Sequence, residues 1–261
     1  METVDLSVLL TYNLLPWQWA VWICFGLAIG MTKAGFSGLS AAVIPLIALI
    51  FGARTSTGIN LPLLFFADIL AVCYYRSHTN WKYIFKLLPW TLAGYAAALV
   101  VYRVVPVQSF RYLMGACILA GLFIMIWNDR RGKDKPVPSA WWFPAVFGTA
   151  GGFAAIIGNI GGPIMAIYLL AMRIPKNSYI CTTAWYFLIT NALKFPVQIF
   201  LWKNITVQTL LFNLTNIPAI TIGAVLGVLL IRRIHQPSYR KVIMLLTLIS
   251  TLLLFVDFGR I

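Results

Sequence analysis

Apolar runs centred near residues 24, 45, 67, 95, 118, 150, 167, 188, 220 and 248 fill almost the whole chain, separated by short polar stretches. Runs of that length, bounded by Gly, Pro and basic residues, predict helices packed in an apolar medium. Two runs are interrupted by glycine-rich breaks, AIGMTKAGFSG over 28–38 and GGFAAIIGNIGGP over 151–163. Each break divides its run into halves of ~13 to 15 residues, shorter than the ~20 a helix needs to cross a bilayer.

The two breaks belong to an internal repeat. At an offset of 123, Gly35 falls on Gly158, Gly38 on Gly161, Asn60 on Thr183 and Asp68 on Asn191. After a six-residue insertion the offset becomes 129, where Gly94 meets Gly223, Arg103 meets Arg232, and Ser109-Phe110-Arg111 meets Ser238-Tyr239-Arg240. The pattern divides the chain into a first membrane repeat (1–127), a charged linker loop (128–140) and a second membrane repeat (141–261). Duplicated membrane segments with matching breaks point to transport.

Charge decides how the broken segments run. If each crosses the membrane once, the loops divide Lys and Arg nine to nine, with Lys33 and Lys194 embedded. If each folds back as a hairpin, thirteen basic residues face one side, and only Arg54, Arg103, Arg111, Lys203 and Arg260 face the other, beside the acidic N-terminus. The positive-inside rule therefore predicts hairpins, with both termini outside the cytoplasm. Five segments per copy is an odd number, so the copies insert in opposite orientations. The expected fold is an all-α polytopic membrane protein of two inverted repeats, each a re-entrant helical hairpin followed by three transmembrane helices.

Composition narrows the function classes. Of 261 residues, 61% are hydrophobic and 10% charged, and the mean hydropathy is +0.87; no stretch remains for a soluble catalytic domain. The net charge of +14 is spread over short loops, which fits topogenic charge and not nucleic-acid binding. Cys24, Cys73, Cys117 and Cys181 lie inside apolar runs without CxxC spacing, so they read as small apolar fillers and not as metal ligands or disulfides. Acidic residues but no basic ones precede the first apolar run, so that segment is expected to stay uncleaved. A nucleophile–base pair, a nucleotide loop and a metal-ligand cluster are all missing from the motifs, so neither an enzyme nor a cofactor is expected.

Candidate chemistry lies at the breaks and at four polar residues deep in apolar runs: Lys33, Asp68, Asn191 and Lys194. Intramembrane charge is costly and marks pathways. A broken helix exposes backbone N–H groups that only protein or a water-filled cavity can satisfy, and a helix N-terminus attracts anions. Asn159-Ile160-Gly161-Gly162-Pro163 is expected to start the second half-helix with its N–H groups facing such a cavity. Thr183, Tyr186, Thr190, Lys194 and Gln198 fall on one helical stripe, with Asn191 beside it. The expected substrate site is Lys33, Gly35, Gly38, Asn159, Gly161, Gly162, Asn191 and Lys194, with Trp185 and Tyr186 as walls. Asp68 is the only acidic residue within a predicted span and is the candidate carrier of a coupled H+. A purely structural Lys–Asp pair, and glycines that merely allow close helix packing, are the competing readings.

The same residues carry a family resemblance. Lys33-Ala34-Gly35-Phe36-Ser37-Gly38 with Pro45, Leu61-Pro62-Leu63-Leu64, Ala67-Asp68 and Tyr75-Arg76 stand in the first copy. Asn159-Ile160-Gly161-Gly162-Pro163, Tyr168-Leu169-Leu170-Ala171, Pro175-Lys176, Thr183-Ala184-Trp185-Tyr186-Phe187 and Asn191-Ala192-Leu193-Lys194 stand in the second. In order and spacing the chain resembles the TauE/SafE family of sulfite and organosulfonate exporters. The resemblance implies a bacterial inner-membrane permease for small sulfur-containing anions, driven by an ion gradient. Ile160 departs from the family pattern, where a small residue usually follows the Asn, which puts substrate size in question. An anion channel or uniporter using the same polar path is the alternative.

Overall fold

The computed structural model describes residues 14–33, 39–75, 77–130, 141–172 and 174–230, together with 244, 245, 248, 249, 251, 252 and 255. The described chain is helical. The first half holds α1 (Pro16–Lys33), α2 (Leu39–Phe51), α3 (Ala53–Tyr74), α4 (Trp81–Val104) and α5 (Val107–Arg130). The second holds α6 (Trp142–Gly158), α7 (Gly162–Ala171), α8 (Lys176–Pro196), α9 (Val207–Leu214) and α10 (Ile217–Leu230). Of the charged loop expected at 128–140, residues 128–130 continue α5 and the rest lie outside the described residues. Gly35 and Gly38 also lie outside them.

Both broken segments fold back on themselves. Trp22, near the start of α1, meets Phe51 at the end of α2 with ring centroids 5.7 Å apart. Phe143, at the start of α6, lies against Tyr168 of α7 at 5.8 Å. The halves are less even than the sequence suggested: α1 and α6 have 18 and 17 residues, α2 and α7 have 13 and 10. Left-handed Asn159 (φ 55°) ends α6; its backbone N–H donates to the Ala155 carbonyl, and that of Ile160 to the Ala154 carbonyl. Asn accepts this conformation at little cost because its short side chain bonds locally.

Each hairpin packs on the opposite half. A Cβ on Gly30 of α1 would stand 2.1 Å from the Ile220 carbonyl oxygen, and one on Gly223 of α10 would stand 2.3 Å from that of Leu27. A Cβ on Gly94 of α4 would come within 2.2 Å of the Thr149 oxygen, and one on Gly152 of α6 within 2.3 Å of that of Thr91. Close backbone approach through small residues is the usual device of helix pairs in lipid, where burial supplies no driving force. The exchange is reciprocal: α1 lies on α10 as α6 lies on α4, and Gly94 and Gly223 are the positions that the repeat puts in register.

The segment expected as one helix near residue 220 is broken into α9 and α10, bent by 48°. Pro218 has no N–H for the Leu214 carbonyl, so the α9 ladder cannot continue. The polar residues at the break are used instead: Thr215 accepts from the Trp22 indole at 3.1 Å, and Asn216 donates to the Trp22 carbonyl at 2.8 Å. Trp22 stacks on Phe212 at 4.6 Å, which ties α1 to the α9–α10 bend.

α3 and α4 are long and apolar enough to cross a membrane, and the bent α9–α10 pair qualifies as a third span. Their outward positions are apolar and exposed, including Phe85, Leu92 and Val100 on α4 and Ile222, Val225 and Leu229 on α10. At one end of the bundle the Arg54 guanidinium lies over the Tyr102 ring at 4.1 Å and donates to the carbonyls of Tyr102 and Val105. It thereby satisfies carbonyls that the end of α4 leaves free. Tyr102 in turn stacks on Trp202 at 3.9 Å. Arg54, Arg103 and Lys203 thus share that end. At the other, the amide of Asn80 donates to Thr182 at 2.9 Å, bringing the starts of α4 and α8 together.

Candidate functional site

α3 and α8 carry the polar residues and run antiparallel. Near the start of α3, Thr57 Oγ1 accepts from Gln198 Nε2 at 3.1 Å. Further along, Asp68 Oδ2 accepts from Asn191 Nδ2 at 2.6 Å. Beyond that, Ala71 and Val72 cluster with Ala184. Rising numbers on α3 thus meet falling numbers on α8. Phe187, Asn191 and Lys194 form one stripe of α8 at spacings of 4 and 3, and Gln198 follows in the π-helical turn Val197–Leu201.

Asp68 is fully buried and holds two partners. Besides Asn191, it pairs with Lys33, whose Nζ stands 2.5 Å from Oδ1. Lys33 is the last residue of α1, so this contact fixes the point where the first hairpin breaks. Its side chain keeps 14% of its surface exposed, and its ammonium sits 4.9 Å above the centroid of Phe187. The face of an aromatic ring attracts a cation, so Phe187 partly replaces the water that Lys33 has lost.

Lys194 lies one turn beyond Asn191 and is only 3% exposed. Its Nζ donates to Asn159 Oδ1 at 3.2 Å, and Asn159 Nδ2 donates to the Thr57 carbonyl at 3.4 Å. The amide of Asn159 is therefore oriented, with its oxygen turned to the lysine. Among the described residues no carboxylate lies within 4.0 Å of Lys194 Nζ; the ion pair found there is that of Lys33 with Asp68. Lys33 takes the one aspartate of the cluster, so a charged Lys194 stands there without an anion. Burying an unpaired ammonium is expensive, and such a group is stable only with a counter-ion or with its proton released.

The second hairpin supplies the other side. The Gly162 and Ile164 amides in the first turn of α7 have no intrahelical acceptor, and Pro163 has no N–H. The two glycines differ. A Cβ on Gly162 would meet nothing within 4 Å, whereas one on Gly161 would stand 3.0 Å from the Ala155 Cβ and 3.7 Å from the Phe187 ring. Gly161 thus allows close packing beside the ring that carries Lys33, and Gly162 borders open space.

The structure gathers Lys33, Asp68, Asn159, Gly161, Asn191 and Lys194 around α3, α8 and the two breaks. Trp185 and Tyr186 turn towards α4: the Trp185 ring meets Trp81 at 5.2 Å, and the Tyr186 hydroxyl meets Thr91 Oγ1 at 2.8 Å. Thr190 follows Tyr186 to the same side, where its carbonyl accepts from Tyr95 at 3.0 Å. The stripe inferred from sequence is therefore two neighbouring lines, one facing α3 and one facing α4. Phe187, Thr57 and Asn204 are functional candidates that sequence reasoning missed. Asn204 Nδ2 donates to Gln198 Oε1 at 3.0 Å and to the Arg54 carbonyl at 3.1 Å, extending the network from Lys194 towards the Arg54 end. Asn204 follows Lys203, whose φ is positive, and the π-helical turn Val197–Leu201 after Pro196, features that a sequence pattern does not reveal.

Comparison with curated proteins and with solved structures returned no match. The model of the family described as "Sulfite exporter TauE/SafE" matches residues 22–254, a stretch that contains both breaks and every polar residue of the cluster. The chain belongs to the sulfite exporter TauE/SafE family and is a multi-pass membrane protein of a transporter family.

Proposed function

We propose that this protein is a secondary-active transporter of a small sulfur oxyanion, sulfite or an organosulfonate, bound among Lys33, Lys194, Asn159, Asn191 and the start of α7. The observation that carries the reading is Lys194, buried and facing an amide oxygen with no carboxylate within 4.0 Å among the described residues. A substrate anion completes that charge balance. The α7 amides of Gly162 and Ile164 add donors beside open space, and Gly35 and Gly38 are assigned the same part at the first hairpin. Trp185 and Tyr186 are assigned to the walls through their neighbour Phe187.

The coupling ion in this reading is H+, carried by Asp68. In the unloaded cluster the Asp68 carboxylate serves as internal counter-ion to Lys33. A proton on Asp68 removes that competitor and frees Lys33 for the substrate anion. Proton and anion then favour each other's binding by linkage and move together, and the sum of their gradients sets the direction of flux. The two halves are assigned inverted orientations in a bacterial inner membrane with both termini outside. Two features support this: the thirteen-to-five division of basic residues in the sequence, and the gathering of Arg54 with Tyr102 and Trp202 at one end of the bundle.

A ligand that binds only the folded state raises its unfolding temperature. Thermal unfolding of the purified protein with sulfite, sulfate, thiosulfate, sulfoacetate, taurine and lactate tests the substrate class. Sulfite or a sulfonate is expected to shift the transition upward, and the shift is expected to be lost in Lys194→Met. Equal shifts with every anion, or a shift unaffected by Lys194→Met, reject the site.

A further inference from the structure

Asn60, on α3, is fully buried, and neither its Oδ1 nor its Nδ2 has a hydrogen-bond partner. It is the only side-chain amide among the described residues with both polar atoms in that state. A buried orphan amide is disfavoured against an apolar residue of the same shape, so its presence in the unliganded protein calls for a partner that arrives later.

Its position says which. Thr57 pairs with Gln198 and Asp68 with Asn191, so Lys194, which lies on α8 between Asn191 and the π-helical turn that carries Gln198, is level with the α3 segment between Thr57 and Asp68. Asn60 lies in that segment, one turn from Thr57, whose carbonyl accepts from the Asn159 amide that faces Lys194. Residues 60, 64 and 68 follow one inclined i, i+4 row of α3, which places Asn60 about 80° round the helix from Asp68. The repeat adds a parallel: Thr183, the residue in register with Asn60, has a buried Oγ1 that also lacks a partner. It precedes Asn191 by the same eight residues that separate Asn60 from Asp68.

We propose that Asn60 binds the transported anion directly, and that its amide selects an oxyanion carrying its own hydrogen-bond donor, of the hydrogensulfite type. Nδ2 donates to an S–O oxygen and Oδ1 accepts from the S–OH, while Lys194 holds the negative charge. Sulfate at neutral pH offers acceptors only and leaves Oδ1 orphaned, and a site built around a donor rejects the analogue that lacks it. An aminoalkanesulfonate offers the same donor and acceptor pair, but places its ammonium beside Lys194 and Lys33, against like charge. The inference rests on the reading of Lys194 as an anion site.

The experiment compares the wild type with Asn60→Leu and Asn60→Ser, full length in nanodiscs, by calorimetric titration with sulfite, sulfate and taurine and by thermal unfolding without anion. Asn60→Leu is expected to unfold at the wild-type temperature or above it, to bind sulfite about tenfold more weakly, and to lose the preference for sulfite over sulfate. Asn60→Ser, which keeps a donor and an acceptor, is expected to retain part of that preference. A folded Asn60→Leu protein with wild-type affinity and preference overturns the proposal while leaving the anion site at Lys194 standing. An Asn60→Leu protein that fails to fold overturns it equally, because the amide is then satisfied by the protein. Taurine bound in preference to sulfite by the wild type overturns the choice of hydrogensulfite. Absence of any anion binding by the wild type removes the reading of Lys194, and this inference with it.

Discussion

Asn191 donates to Asp68 across 2.6 Å, joining the two positions that the internal repeat places in register at an offset of 123. In the inverted-repeat arrangement proposed above, residues so related meet near the two-fold axis. Lys33 is drawn to the bond from the first hairpin, and Lys194 lies one turn away on α8. Neutral Asn in one copy and Asp in the other means that this meeting point holds one carboxylate where strict symmetry would place two.

Asp68→Asn removes the internal counter-ion of Lys33. The variant is expected to lose about 3 kcal/mol of stability, since one partner of a buried ion pair is left alone. Sulfite binding is expected to persist or tighten, and its increase at lower pH to shrink to what protonation of the anion itself produces. Titrations at several pH values check this; a variant that keeps the full pH dependence of the wild type shows that another group of the protein carries the proton.

The glycines of the crossed helix pairs separate packing from function. Gly30→Ala and Gly94→Ala would drive a methyl to within 2.1 and 2.2 Å of backbone oxygen. A loss of about 1 to 3 kcal/mol is expected for such overpacking. Gly162→Ala meets nothing within 4 Å. Thermal unfolding should rank it with the wild type, and an anion-binding defect in that stable protein would place the start of α7 at the substrate. A Gly30→Ala protein of wild-type stability would contradict the packing described.

The orientation of the halves has its own test. Single cysteines replacing Lys133 and Arg260 are expected to react with membrane-impermeant reagents from opposite faces. Reaction from the same face excludes an odd number of crossings between them, and with it the inverted arrangement.

Much of this organisation was legible in the sequence because its signals are local. Glycine clusters mark where a helix must stop, and a charge in an apolar run marks a pathway, so both hairpins and the residues Lys33, Asp68, Asn159, Asn191 and Lys194 could be named in advance. Partners were less legible. Helical periodicity says which residues share a face, yet Tyr186 and Lys194 lie close enough in angle to merge into one stripe, and only the packing of α4 and α3 separates them. Phe187 reads as one more apolar residue until Lys33 is found above its ring. Asn204 and Thr57 join the network through backbone carbonyls, which no sequence pattern displays. The bend between α9 and α10 was marked only by Asn213, Thr215, Asn216 and Pro218 within an otherwise apolar run, and polar residues in such a run do not by themselves say that a helix stops.

Counterflow of radiolabelled sulfite in proteoliposomes, comparing the wild type with Lys194→Met, probes the site and the activity together. The variant is expected to fold with equal or greater stability, by ~1 to 3 kcal/mol, because an ammonium without a carboxylate is replaced by an apolar chain of similar length. The wild type should show saturable counterflow that responds to a pH gradient, and the variant should show almost none. Wild-type counterflow in a folded Lys194→Met protein, or flux through the wild type that never saturates, would contradict the account.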